Sequence, residues 1–241
     1  MSVFVVLLAI LLLATFGLGY SAPLFAALFP GLENPVYRQD GFPALLLGHV
    51  EIVAVASCAA IVIGVATGIA VTRPAGREFR GLLETVAATG QAFPPVAVLA
   101  LAVPAMGFGA EPAIVALALY GLLPVVQNTI AGLEGIPPDA RIAAAGMGMT
   151  PHQILLRVEL PLAAPVILTG IRISVVIGIG TAAVASTVGA RTLGLPIIVG
   201  LNGSNTAYVL QGAVLVALLA ITLDQGFDTL TRGVTRWRRA S

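Results

Sequence analysis

The chain has no lysine; all twelve of its basic residues are arginine. A phosphate-binding loop of the form G-x-x-x-x-G-K-[ST] is therefore impossible, and any use of ATP falls to another chain. Cysteine is almost as scarce. Cys58 stands alone, which excludes an internal disulfide and a cysteine-based metal site. It lies in an apolar run and reads as a small core residue. Only 10% of residues are charged, against roughly 25% in a typical soluble domain. The formal net charge is +1, so no nucleic-acid partner is expected. The two histidines, His49 and His152, stand far apart. They supply no His/Asp cluster for a membrane-embedded enzyme, and no metal site is expected.

What fills the chain is hydrophobic length. Apolar residues make up 58% of it, and several long intervals carry no charge at all. A helix needs about 20 apolar residues to cross a bilayer core, and several intervals reach that length. The expected class is an all-α, polytopic membrane helix bundle, one domain over residues 1–241. It has about six spans, near 3–28, 46–71, 82–106, 113–130, 162–188 and 206–227. The first run lacks the basic region of a cleaved signal, because Met1-Ser2-Val3-Phe4 contains no Arg or Lys. It is read as a retained span.

Several features within the spans carry local expectations. Gly64-x-x-x-Gly68 is a small-x-x-x-small element that lets helices approach closely. His49 and Glu51 are two apart and do not share a helix face; they read as polar groups near the interface. Pro94-Pro95 removes two backbone donors inside the third span. Freed carbonyls at membrane depth need protein or water to receive them, so this helix should bend or break beside a pathway. Phe93, Pro94, Pro95 and Tyr120 are the candidates for that pathway. Aromatic faces attract quaternary ammonium groups, but Phe93, Phe108 and Tyr120 more simply pack against core or lipid. Glu51, Glu111, Arg172 and Asp224 are read as anchors near span ends, with Arg172 snorkelling. Residues 190–205 are read as a loop, and Trp237 in the basic tail as an interface anchor.

Arginine gives the orientation. With six spans, one side collects Arg73, Arg77, Arg80, Arg141, Arg157, Arg232, Arg236, Arg238 and Arg239, and the other only Arg38 and Arg191. The positive-inside rule makes the first side cytoplasmic, with both termini on it.

Residues 132–161 lie between two apolar runs and are the most polar interior part of the chain. They carry Glu134, Asp139, Arg141, His152, Gln153, Arg157 and Glu159. Pro137-Pro138 reads as a turn, Ala143-Ala144-Ala145 as a smooth helical surface, and Gly148 as a backbone bend. Thr150-Pro151 reads as a new helix start and Leu160-Pro161 as a stop. The expectation is two short helices outside the lipid, presented to a partner's groove.

The same residues carry a resemblance. Ala143-Ala144, Gly148 and Val158-x-Leu160-Pro161 resemble the cytoplasmic EAA loop of ABC-importer permease subunits. The run from Gly146 to Arg172 is similar to the glycine betaine, choline and carnitine branch. So are Asn128 to Leu133 before the loop and Val188 to Gly194 after it. Ile142 stands where the motif has its Glu, and neither Asp139 nor Glu134 holds that position. The resemblance implies a type I ABC-importer permease fold in a bacterial cytoplasmic membrane. It implies a second permease subunit and an extracytoplasmic substrate-binding protein. It also implies a separate ATP-binding subunit, which holds ATP and Mg while this chain binds no cofactor and catalyses nothing. Asp139, Arg141, Ala143, Ala144, Gly148, His152, Arg157, Leu160 and Pro161 would form the ATPase-coupling loop. An importer for an amino acid or oxyanion is the alternative. An ion-driven secondary transporter is less consistent with charges clustered at span ends.

Overall fold

The structure is a computed structural model, and it describes residues 3–234. No strand occurs among the described residues. Eleven helices are labelled in chain order: α1 (Val3–Gly17), α2 (Ala22–Leu28), α3 (Phe42–Thr72), α4 (Arg80–Ala92), α5 (Pro95–Met106), α6 (Ala110–Glu134), α7 (Pro138–Gly146), α8 (Pro151–Ile154), α9 (Leu160–Ala182), α10 (Leu195–Asn202) and α11 (Thr206–Val234). Among the described residues, five helical stretches are long and apolar enough to cross a membrane, or six if the bent pair α4–α5 counts as one. The polytopic helix bundle read from hydrophobic length is thus what the chain forms.

Helix α6 is the centre, packed between α3 and α9. Glycine sets how closely these helices meet. A Cβ on Gly64 would lie 2.8 Å from Val125 Cγ1, and one on Gly68 would lie 2.8 Å from Thr129 Cβ. The Gly64/Gly68 pair thus makes the α3–α6 seam, as its spacing suggests. Helix α11 packs on α9, α1 and α10.

Two boundaries and one side-chain role differ from the sequence expectation. The run 3–28 is not one helix. It turns at Leu18–Tyr20 and restarts as α2. Ser21 Oγ donates to Leu18 O at 2.6 Å, a local bond that competes with the helix ladder, and Pro23 lacks the next donor. The loop expected at 190–205 contains α10, whose Pro196 sits in its first turn. It docks through Gly200, where a Cβ would lie 2.9 Å from Val209 N. Arg172 does not snorkel: it reaches across from α9 to α11 and donates to both oxygens of Asp224, at 2.5 and 2.6 Å. The proposed anchor Trp237 lies outside the described residues.

The proline pair breaks the third hydrophobic run as expected, with a 95° bend between the two halves. The two halves still traverse the bundle. Arg80 at the start of α4 pairs with Glu134 at the end of α6. Gly109, just after α5, donates to Val188 O at 2.9 Å beyond the other end of α9. The bundle therefore has a loop end, with Arg73, Arg80, Glu134 and residues 132–161, and a far end, with Asp40 paired to Arg191.

Candidate functional site at the loop end

Residues 132–161 fold as a compact knob. Pro137 and Pro138 turn the chain out of α6, and Pro138 opens α7, where a missing N–H costs nothing. Helix α7 ends in a double-bonded cap: Met149 N donates to Ala144 O at 3.2 Å and Gly148 N to Ala145 O at 2.9 Å. That pattern requires a left-handed residue, and Gly148 supplies it with φ +80°. Thr150 and Gln153 then cap the next helix reciprocally. Gln153 N donates to Thr150 Oγ1 at 3.4 Å, and Thr150 N donates to Gln153 Oε1 at 2.9 Å.

The expected stop at Leu160-Pro161 is absent. Pro151–Ala182 runs as one 32-residue helical stretch. A widened π turn over Leu155–Glu159 replaces the break. Leu160 N donates back five residues to Leu155 O, so the ladder resumes past Pro161, which lies in the first turn of α9. Such wide turns absorb a residue that the ordinary ladder cannot seat. At 1.5 Å per residue the stretch is about 48 Å long, against about 30 Å of bilayer core. The stretch is therefore longer than the core it would cross, and its first turns are continuous with α9. A small core made of Leu133, Ile136, Ala163 and Ile167, with Ala140 and Leu155 against it, roots the knob on the bundle.

The wide turn places Glu159, only 3% exposed, between three elements. Arg141 Nε of α7 donates to its Oε1 at 2.6 Å. Arg73, just past α3, brings Nη1 to 2.7 Å from Oε2. The Arg73 contact is an ion pair without hydrogen-bond alignment, since Oε2 and Arg73 Nε both lack an aligned partner. Arg141 Nη2 also donates to Leu133 O at 2.6 Å, at the end of α6. One carboxylate and two guanidinium groups thus tie α3, α6, α7 and the wide turn together. A buried carboxylate is tolerable only when so paired.

The expected site residues divide into two sets. Arg141 and the buried Ala144 face inward and fasten the knob. Asp139, Ala143, Gly148, His152 and Arg157 are exposed, together with Ile142 at 68% and Met147 at 71%. Leu160 is half-buried and Pro161 exposed at the helix's emergence. Ile142, in place of the motif's Glu, lies on the outer surface of α7 and takes no part in the fastening. Glu159 and Arg73 were missing from the expected set. The available signal was a lone acid one residue before Leu160-Pro161, in a stretch where an arginine lacked an assigned partner.

The expected pathway residues do not form one surface. Phe93 and Pro94 are exposed at the break, Pro95 is half-buried, and Tyr120 is buried on α6. Gln91 Nε2 donates to Tyr120 O at 2.6 Å, holding α4 against α6 just before the break. Among the described residues, no group of three or more His, Cys, Asp or Glu side chains is placed to hold a metal.

Comparison with known proteins points one way. Residues 60–236 match the family described as binding-protein-dependent transport system inner membrane component. The osmoprotectant import permease protein OsmY of Salmonella typhimurium is 42% identical over 194 residues, covering 80% of this chain and 82% of that protein. The choline transport system permease protein OpuBB of Bacillus subtilis is 38% identical over 78% of this chain and 85% of that protein. Among solved structures, an inward-facing conformation of the MetNI methionine ABC transporter superposes with a TM-score of 0.70 at 24% identity. It covers 82% of this chain and 100% of that one.

Proposed function

Since the chain belongs to the family of binding-protein-dependent transport system inner membrane components, we propose that it is the membrane-spanning subunit of an ATP-driven osmoprotectant importer, passing a quaternary ammonium solute such as choline or glycine betaine. Its fold is that of the type I ABC-importer permeases. The substrate class is supported by relatives 37–42% identical whose names specify osmoprotectant, choline, or glycine betaine, carnitine and choline transport.

The observation that carries the mechanism is the fastened knob. A partner can push a membrane helix only through a segment that is both exposed and rigidly joined to it. The knob meets both conditions. Helix α7 offers Ile142 and Ala143 outward, with Met147 just past its end, and Arg141 and Glu159 bind it inward to α3, α6 and the α9 stretch. The nine-to-two arginine asymmetry supports a cytoplasmic position for this end. There it docks in a groove of a separate ATP-binding subunit, and this chain contributes no nucleotide site of its own. ATP-driven approach of two such subunits moves two knobs together, because a second permease subunit carries the other. The long lever through Pro151–Ala182 then reorients the bundle. An extracytoplasmic binding protein delivers the solute at the far end.

Reconstitution tests this. Proteoliposomes holding this chain, its ATP-binding partner and the binding protein should accumulate labelled choline or glycine betaine only when ATP is inside. Equal uptake without ATP, or uptake of neither solute, sinks the assignment.

A further inference from the structure

At the far end, a cavity of about 440 Å³ opens between the first turns of α3, the start of α6 and the segment after α9. Its α3 wall carries Leu47, Glu51 and Val55, spaced four residues apart and so on one face. Ile114 of α6 and the backbone of Gly189 and Ala190 complete it. Glu51 lies nine residues into α3, about 13 Å from its first residue. It has no ion-pair or hydrogen-bond partner among the described residues. Arg191 also lines the cavity, but its guanidinium is taken by Asp40. The cavity therefore holds one uncompensated negative charge among apolar walls.

Glu51 is exposed, and a carboxylate left unpaired on a membrane-spanning helix points to a functional site. Its surroundings say what would satisfy it. Apolar walls disfavour a strongly hydrated small cation, which would lose its water without gaining ligands. A cation whose charge is spread over methyl groups loses little hydration, and it matches both the carboxylate and the Leu47, Val55 and Ile114 surface. We propose that Glu51 is the charge-recognition residue of a quaternary ammonium site in the permease itself, where solute rests on entering from the far end. The proposal rests on the importer reading above and adds a binding residue to it.

Two experiments test it. In proteoliposomes carrying the full complex, Glu51→Gln should raise the KM for choline roughly tenfold, with a smaller change in maximal rate and Glu51→Asp falling between. A KM within twofold of wild type overturns the proposal. The second experiment reads binding without transport. In the detergent-solubilised complex with Cys58→Ser and Leu47→Cys, saturating choline should slow modification by a cationic methanethiosulfonate several-fold. Adding Glu51→Gln should remove that protection. Equal labelling rates with and without choline overturn the proposal even if Glu51→Gln assembles poorly. Failure of the wild-type complex to import any quaternary ammonium solute overturns the importer reading instead, and this inference with it.

Discussion

Replacing Glu159 with Gln is the sharpest perturbation of the knob, because it keeps the shape and removes only the charge. Glu159 is 3% exposed, whereas the side chains of its partners Arg73 and Arg141 are 35% and 38% exposed. Breaking a fully buried pair costs about 3–5 kcal/mol, and exposed pairs are worth less than about 1. With a buried anion and half-wet cations the loss falls between, at about 2 kcal/mol. That shifts the equilibrium between fastened and released α7 by roughly thirtyfold. A released α7 still docks on the ATP-binding subunit but no longer pulls the bundle. The assay is ATP hydrolysed per solute imported in proteoliposomes, with amide exchange of residues 138–146 in parallel. The expected result is a raised ratio and faster exchange at unchanged protein level. Arg141→Lys should be intermediate, since the guanidinium reaches Glu159 and Leu133 O through two separate nitrogens and lysine has one. An unchanged ratio with unchanged exchange refutes the fastening argument.

Other predictions bear on separate links. Gly148→Val should uncouple hydrolysis from uptake, since a β-branched residue at φ +80° costs about 1–2 kcal/mol. Gly148→Asn should retain most coupling, because Asn adopts the left-handed backbone and nothing lies within 4 Å of a Cβ there; equal behaviour of the two variants contradicts a backbone role. Asp224→Asn should lower the thermal stability of the detergent-solubilised complex by about 1–2 kcal/mol, since the pair is about a third exposed. The charge-swapped double variant Arg172→Asp/Asp224→Arg should recover much of that loss; no loss in the single variant argues against a structural ion pair. His152→Cys in a Cys58→Ser background should react with an impermeant reagent only from the cytoplasmic face, and labelling from outside inverts the orientation.

Much of the fold was legible because the bilayer imposes a simple constraint, long apolar helices, which residue type alone reveals. The Gly64/Gly68 seam and the break at Pro94-Pro95 were legible because each is set by the backbone chemistry of residues close in sequence. So were the backbone bend at Gly148 and the helix start at Thr150-Pro151. Leu160-Pro161 misled because proline is a local stop signal, whereas the preceding five residues widen their turn to carry the helix through. The α10 segment was hidden by its flanking Gly, Asn and Ser residues. The Glu159 hub and the Arg172–Asp224 bridge were out of reach for another reason. Their partners are separated by 86, 18 and 52 positions in Arg73–Glu159, Arg141–Glu159 and Arg172–Asp224. No local spacing rule links such residues; the packing of α3, α6, α7 and α9 assembles the Glu159 hub, and that of α9 on α11 the bridge.

The central claim is that the exposed face of α7 is where force enters this chain. Site-directed cross-linking tests it most directly. Met147→Cys, in a Cys58→Ser background, should form a short cross-link to the ATP-binding subunit in native membranes, and the yield should change between ATP-bound and nucleotide-free states. Leu210→Cys, on an exposed face of α11, should form none. Absence of any Met147→Cys adduct to a nucleotide-hydrolysing partner, in a complex that still imports solute, contradicts the account.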